Sequence, residues 1–235
     1  VGCPIGCIFC ATGAMGFSLN LAIDEIIEQV LLFARLLKKE GKRVDNVVFM
    51  GMGEPFLNYD NVIAAARILN DAQGLNIGAR HISISTIGIS AGIEKLIDEP
   101  LQLNLAVSLH APNDRLRQKI IPAAKNYPLE KIIKIVRRYL QNTNRRVMFE
   151  YIMIDNVNDS DKCAYELAAL IKNNLSSKLV FVNLIRYNPA RNFKPSNEQQ
   201  IKRFKTILED SNIETTQRFR FGQDIKAACG QLAAD

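Results

Sequence analysis

Tryptophan is absent from this 235-residue chain, aromatic residues make up only 7% of it, and histidine occurs twice. A stacking platform for single-stranded nucleic acid is therefore not advertised, because such surfaces rely on several aromatic faces in series. No uninterrupted apolar run approaches the roughly 20 residues that a membrane helix needs. A secretory leader, an internal repeat, a linker and a low-complexity tract are likewise not visible. Five cysteines are too few for a disulfide scaffold. At 48% hydrophobic and 23% charged, the composition argues against disorder, collagen and coiled coil. The length accommodates one compact domain or two small ones. What is present in excess is local: three of the five cysteines fall within the first ten positions.

Charge is also unevenly placed. Residues 1–117 carry 10 Lys and Arg against 12 Asp and Glu, whereas residues 118–235 carry 20 against 12, a net of +8 within an overall +6. Such a surplus suits a phosphate-bearing partner, and it equally suits a solvated basic surface.

Helical and strand patterns alternate. Apolar residues at three- and four-residue spacing predict helices over Ile23 to Lys39, Tyr59 to Asp71 (with Asn58 as N-cap), Leu129 to Leu140, Ser160 to Lys172 and Ser196 to Glu209. Short β-branched runs predict strands over Val44 to Met50, His81 to Thr86, Leu101 to Leu109, Arg146 to Ile154, Leu179 to Tyr187 and Ile213 to Phe219. The alternation implies an α/β fold of successive βαβ units on a parallel sheet. The expected architecture is a partial, six-stranded TIM-like barrel with a C-terminal strand extension, its first strand lying just before Val1. A doubly wound sheet fits the same periodicity.

Cys3, Cys7 and Cys10 form C-x3-C-x2-C. A structural zinc site normally takes four ligands, and no fourth Cys or His lies nearby. An iron–sulfur cluster held by three thiolates leaves one iron open to a small ligand. The spacing resembles the signature of radical S-adenosylmethionine (SAM) enzymes, with Phe9 before the last cysteine. A ferredoxin-like carrier would need a fourth cysteine and a much smaller chain. Gly51-Met-Gly53-Glu54-Pro55 follows a predicted strand and resembles the glycine-rich SAM-binding turn of that superfamily, where a carboxylate suits an ammonium partner. Ser85, Ser108, Leu109, His110 and Asn188 lie at or near strand C-termini, where ligand sites of parallel α/β folds collect. By position alone His110 reads as a strand-end core histidine satisfied by backbone, His81 as structural, and Cys163 as an inert helical thiol. Cys229, flanked by small residues and Gly230, remains a fourth cluster ligand, a nucleophile or a buried bystander.

Taken together, V-G-C-P-I-G-C-I-F-C-A-T-G, G-M-G-E-P-F-L-N, I-S-T-I-G-I, S-L-H-A-P-N-D, N-L-I-R-Y-N-P and D-I-K-A-A-C-G-Q-L resemble the RlmN/Cfr family of radical SAM RNA methyltransferases, across essentially the whole chain. The resemblance implies a [4Fe-4S] cluster on Cys3, Cys7 and Cys10, and SAM contacts from Gly53, Glu54, Ser85, Ser108, Leu109, His110 and Asn188. It implies that Cys229 takes a methyl group from one SAM, and that a radical made from a second SAM activates this methyl for addition to an adenine.

Glu54-Pro55-Phe-Leu-Asn58 and Ala111-Pro-Asn-Asp114 resemble RlmN, which methylates adenine C2 in 23S rRNA and in some tRNAs. Ile84–Ile89, Leu184–Pro189 and Phe221–Asp224 lean toward Cfr, which methylates C8 of the same rRNA adenine and confers antibiotic resistance. C2 is the expected position. The resemblance further implies a cytoplasmic monomer served by an electron donor such as flavodoxin, with no membrane association. Residues 1–235 correspond to the catalytic core of that family. Its N-terminal RNA-binding domain and resolving cysteine would precede Val1, so a chain of this extent is expected to methylate Cys229 without turning over. A non-catalytic RNA-binding remnant is the alternative, against which the four placed cysteines speak.

Overall fold

The computed structural model describes residues 1–219 and 228–232. In chain order the elements are α1 (Ala11–Ala14), α2 (Ile23–Lys39), β1 (Val47–Phe49), α3 (Tyr59–Asn70), β2 (Ile82–Thr86), α4 (Ser90–Ile97), β3 (Asn104–Ser108), α5 (Asp114–Ile120), α6 (Leu129–Thr143), β4 (Val147–Met153), α7 (Asp161–Lys172), β5 (Val180–Arg186), α8 (Glu198–Asp210) and β6 (Glu214–Gln217). All six strands are parallel and stand side by side in sequence order. That order decides between the two expected architectures. A doubly wound sheet reverses direction at a switch point, whereas a barrel adds each strand to the same side of the last. Here the strands form an open barrel wall, with β1 and β6 as its edges.

The central strands are apolar almost throughout: β4 reads Val-Met-Phe-Glu-Tyr-Ile-Met, with every residue but Met148 buried. Strands covered on both faces need no polar alternation. The helical layer closes one side through single apolar stripes, such as Leu129, Ile132, Ile133, Val136 and Leu140 on α6. Several ends are capped by polar side chains: Asn113 caps α5 by accepting from the Leu116 amide, Ser160 caps α7 and Asn197 caps α8. Asn58 occupies the expected N-cap position of α3 but makes no cap; its Nδ2 instead donates to the Leu21 carbonyl at 2.8 Å. Against the fully covered wall, α2 buries only Ile26, and Leu32, Phe33 and Leu36 remain exposed.

None of the described helices is long and apolar enough to cross a membrane. His81 closes a short 3-10 turn, Ala79–His81, at the strand N-termini, where its Nδ1 lies 3.0 Å from Asn46 Oδ1. It is thus on the rim opposite the strand ends that matter below. Cys163 sits half-buried in the first turn of α7, 3.3 Å from the capping Ser160 hydroxyl, consistent with a structural thiol.

Candidate active site at the strand C-termini

One open cavity, enclosing roughly 860 Å³ of empty space up to its mouth, lies at the C-terminal ends of the strands. Cys3, Cys7, Cys10, Gly53, Glu54, Ser85, Ser108, His110 and Cys229 all line it. Two sequence-selected residues do not. Leu109 is fully buried; its amide donates to the Glu150 carbonyl (3.1 Å) and its own carbonyl accepts from Arg117 Nε (3.1 Å). Asn188 stands behind the wall and donates through Nδ2 to the Cys229 carbonyl at 3.2 Å.

The cysteine loop is held by main-chain bonds on three sides. The Cys3 amide donates to the Gly16 carbonyl (2.7 Å), the Cys10 amide to Cys7 (3.1 Å), and the Ile8 amide to Ile120 at the end of α5 (3.0 Å). Gly13 packs against it so closely that a Cβ there would fall 2.8 Å from the Cys7 carbonyl oxygen. Burial pushes the Cys3 and Cys7 thiols up, and at Cys7 the charges of Cys10 and Cys3 push further the same way. Thiols that disfavour their anionic forms when alone, as Cys3 and Cys7 do, suit a metal centre whose positive charge stabilises them. Three thiolates fit an iron–sulfur cluster with one open iron, whereas a structural zinc ion normally takes four ligands.

Glu54 is a strut as much as a ligand. Its two carboxylate oxygens accept from the Phe56 amide (3.1 Å) and the Ile87 amide (2.8 Å), tying the turn after β1 to the turn after β2. Burial nevertheless raises its pKa to about 7. His110 closes β3 in the left-handed region (φ 59°) and meets Phe9 edge-on, ring centroids 5.3 Å apart. Its Nδ1 accepts from the Ile152 amide at 3.1 Å, which assigns the proton to Nε2 on the side left for the cavity. Burial, reinforced by the Arg117 charge, depresses its pKa to about 3, so it is a neutral donor. Nδ1 thus meets the backbone, as the strand-end position of His110 leads one to expect.

Cys229 reaches this cavity on a short segment stitched to the cysteine loop: the Ala11 amide donates to Gly230 (2.8 Å) and Thr12 Oγ1 to Leu232 (2.5 Å). Gly230 turns at φ 80°, and a Cβ there would lie 3.7 Å from the Phe9 carbonyl oxygen. Although Cys229 is exposed as a residue, the surrounding protein desolvates its thiol and raises the pKa to about 11. Phe221–Asp224 and the stretch from Asp224 to Ala227, which entered the sequence comparison, lie outside the described residues.

Sequence reasoning missed three charged residues here. Glu150 on β4 is 2% exposed; its Oε2 accepts from Asn183 (3.0 Å), while Oε1 lies 3.7 Å from Arg218 with no hydrogen bond. Arg218 also lines the cavity, and Arg117 lies beneath it. The available signal was Glu150 as the lone charge in an otherwise apolar strand. Burial raises the Glu150 pKa to about 7, against the lowering effects of Arg218 and Asn183. A carboxyl whose folded pKa lies above its unfolded value of 4.5 is penalised on ionising. Its contribution to stability is therefore largest at low pH and declines as pH rises from about 4.5 to about 7, by an order of 3 kcal/mol. Glu150→Gln should flatten this decline in the cluster-free protein, so that the loss of Tm between about pH 5 and pH 7.5 shrinks by roughly 6–12 °C. Parallel thermal melts that show identical declines would contradict it.

Residues 1–168 match the family model described as "Radical SAM superfamily", and the chain belongs to that superfamily. It is 50% identical over 236 residues to "Ribosomal RNA large subunit methyltransferase N" of Nitrosopumilus maritimus, covering 100% of this chain and 66% of the relative. It is 51% identical over 236 residues to "Probable dual-specificity RNA methyltransferase RlmN" of Dictyoglomus thermophilum, covering 67% of that protein. A crystal structure of a radical SAM methyltransferase from Sphaerobacter thermophilus superposes with a TM-score of 0.95 at 48% identity, over 100% of this chain and 68% of that one. Within the superfamily, the chain belongs to the RlmN family of RNA methyltransferases, and it spans about two thirds of the length of these relatives. Membership implies a [4Fe-4S] cluster and SAM.

Proposed function

We propose that residues 1–235 are the catalytic core of a methyltransferase that places a methyl group on C2 of an adenine in 23S rRNA, with tRNA as a further substrate, through an S-methylcysteine formed at Cys229. One observation carries the reading: Cys229, far from the cysteine loop in sequence, lines the same cavity as Cys3, Cys7 and Cys10. In this reading the three loop cysteines hold the cluster, and Gly53, Glu54, Ser85, Ser108 and His110 surround SAM. Leu109 supports the wall through its main-chain bonds to Glu150 and Arg117, and Asn188 supports the Cys229 segment through the Cys229 carbonyl.

Cys229 first displaces the methyl group of one SAM: an S–C bond forms at Cys229, S-adenosylhomocysteine leaves, and the thiol proton passes to solvent. Cys3, Cys7 and Cys10 would hold the cluster, which with a second SAM would supply the one-electron reductive chemistry needed to activate this methyl by removal of a hydrogen atom. Cys229 would then present a nucleophilic carbon to the adenine, and the bond from its sulfur to that carbon would break as the family's resolving cysteine forms a disulfide with Cys229. Such a carbon is required because a ring position flanked by nitrogens is electron-poor and resists SAM's electrophilic methyl. The Nε2–H of His110 and the hydroxyls of Ser85 and Ser108, 3.2 Å apart, supply polar contacts within the cavity wall. The surplus of 20 basic over 12 acidic residues in positions 118–235 favours an RNA partner. A cytoplasmic monomer served by a one-electron donor such as flavodoxin completes the reading. Mass spectrometry of nucleosides from RNA treated with the full-length protein tests it: 2-methyladenosine is expected, and 8-methyladenosine or no methylation overturns it.

A further inference from the structure

Arg117 has no part in the reaction as described, yet it is among the most enclosed side chains in the molecule, 0% exposed on the seven-residue helix α5. Among the described residues its hydrogen-bond partners are all main-chain carbonyls. Nε donates to Leu109 (3.1 Å), Nη1 to Tyr127 (2.7 Å), and Nη2 to Ile87 (2.5 Å) and Ser108 (3.4 Å). The fork therefore braces the ends of β2 and β3, the two strands that carry Ser85 and Ser108 to the cavity. A buried arginine normally pairs with a carboxylate, because an uncompensated interior charge is costly. The charge of nearby Asp114 acts on Arg117, but Asp114 Oδ1 accepts from the Leu129 amide. Through the Ser108 carbonyl the guanidinium reaches the wall of the cavity that Ser108 shares with Cys7. The same helix holds the next residue of the cysteine loop, through the Ile8 amide and the Ile120 carbonyl.

We propose that Arg117 is a positioning residue for the cluster-binding loop, a fixed cation that favours the reduced state of the cluster while its fork sets the strand ends around it. The inference rests on the reading of Cys3, Cys7 and Cys10 as cluster ligands. One-electron reduction, with the electron supplied by a low-potential donor, adds a negative charge to the centre, so a buried cation beside a ligand stabilises the reduced form more than the oxidised one. An anionic cluster held by the loop would be a further counter-charge to Arg117, beside Asp114.

The test is a mediated redox titration, followed by electron paramagnetic resonance, of the full chain reconstituted anaerobically with iron and sulfide. Arg117→Met removes the charge at similar length; Arg117→Gln removes it while keeping two N–H donors, and serves if the methionine variant does not fold. In either neutral variant the ratio of reduced to oxidised cluster at a fixed potential should fall at least about tenfold, a shift of about 59 mV for a one-electron couple. Arg117→Lys, which keeps the charge but loses the fork, should stay within about threefold of the parent while melting lower. Neutral variants that load iron and titrate at the parent's potential overturn the proposal, since a purely structural arginine would change stability and leave the potential alone. A parent chain that takes up no iron and sulfide would overturn the cluster reading, and this inference with it.

Discussion

In the full-length protein Cys229→Ala should abolish RNA methylation, lowering it by at least about 10³-fold, while leaving the iron content of the reconstituted protein unchanged. The size of the effect follows from what the thiol is asked to do. Hydrogen-bonding residues around a ligand share their work, so that losing one is partly compensated by the rest. A covalent carrier has no substitute: without the sulfur there is nowhere for the methyl group to wait. The unchanged iron content is the discriminating half of the result. Had Cys229 been a fourth cluster ligand, its removal would strip or destabilise the cluster. Its raised pKa of about 11 adds that the thiol is protonated at neutral pH in the empty site, so the thiolate that attacks must form as SAM's positive sulfonium arrives. A parent protein incubated with SAM should accordingly carry one additional CH2 on the peptide bearing Cys229, and the alanine variant none. An iron-free Cys229→Ala protein, or one that still methylates RNA, would sink this assignment.

Cys7→Ala should reduce bound iron to background and abolish the visible absorption of the reconstituted protein, yet leave the iron-free fold close to the parent in stability. Burial, and the charges of Cys10 and Cys3, push the Cys7 thiol up in the absence of metal. At ordinary pH the group is therefore a neutral thiol that makes no ion pair, and an alanine removes only its sulfur. Binding of iron releases the thiol protons, so loading should also weaken as pH falls. The measurement pairs iron analysis with thermal melts of the iron-free parent and variant. A variant that loses several degrees of Tm without iron would indicate that Cys7 is held for packing and not for metal.

Much of this organisation was legible before any coordinates. The bounds of α2 match the expected Ile23 to Lys39, because a 17-residue amphipathic run with acids in its first turn and lysines in its last leaves little freedom. The three short helices were not foreseen. Ala11–Ala14 is only four residues long, Ser90–Ile97 contains Gly92, and Asp114–Ile120 alternates charge and apolar residues too briefly to show a face. The cysteine loop, the turn at Glu54 and the strand-end residues declared themselves through spacing. Arg117, Glu150 and Arg218 did not, since an arginine or glutamate looks the same in sequence whether it will be solvated or enclosed. Gly92 illustrates the same limit: a Cβ there would meet Phe56 at 2.4 Å, a contact fixed by packing between segments that sequence order keeps apart.

The stitching of the Cys229 segment to α1 carries a consequence for the order of assembly. Each strand pairs with its sequence neighbour, so the sheet can lengthen progressively as the chain emerges, one short crossover at a time. The cavity cannot. Thr12 waits for Leu232 across 220 positions of intervening chain. The loop of Cys3, Cys7 and Cys10 is therefore made before the Cys229 segment that is stitched to it. The same long-range seam should be among the first to part in the native state, since the bonds that hold it are few and the chain entropy it confines is large. Amide exchange at Ala11 would time that breathing directly.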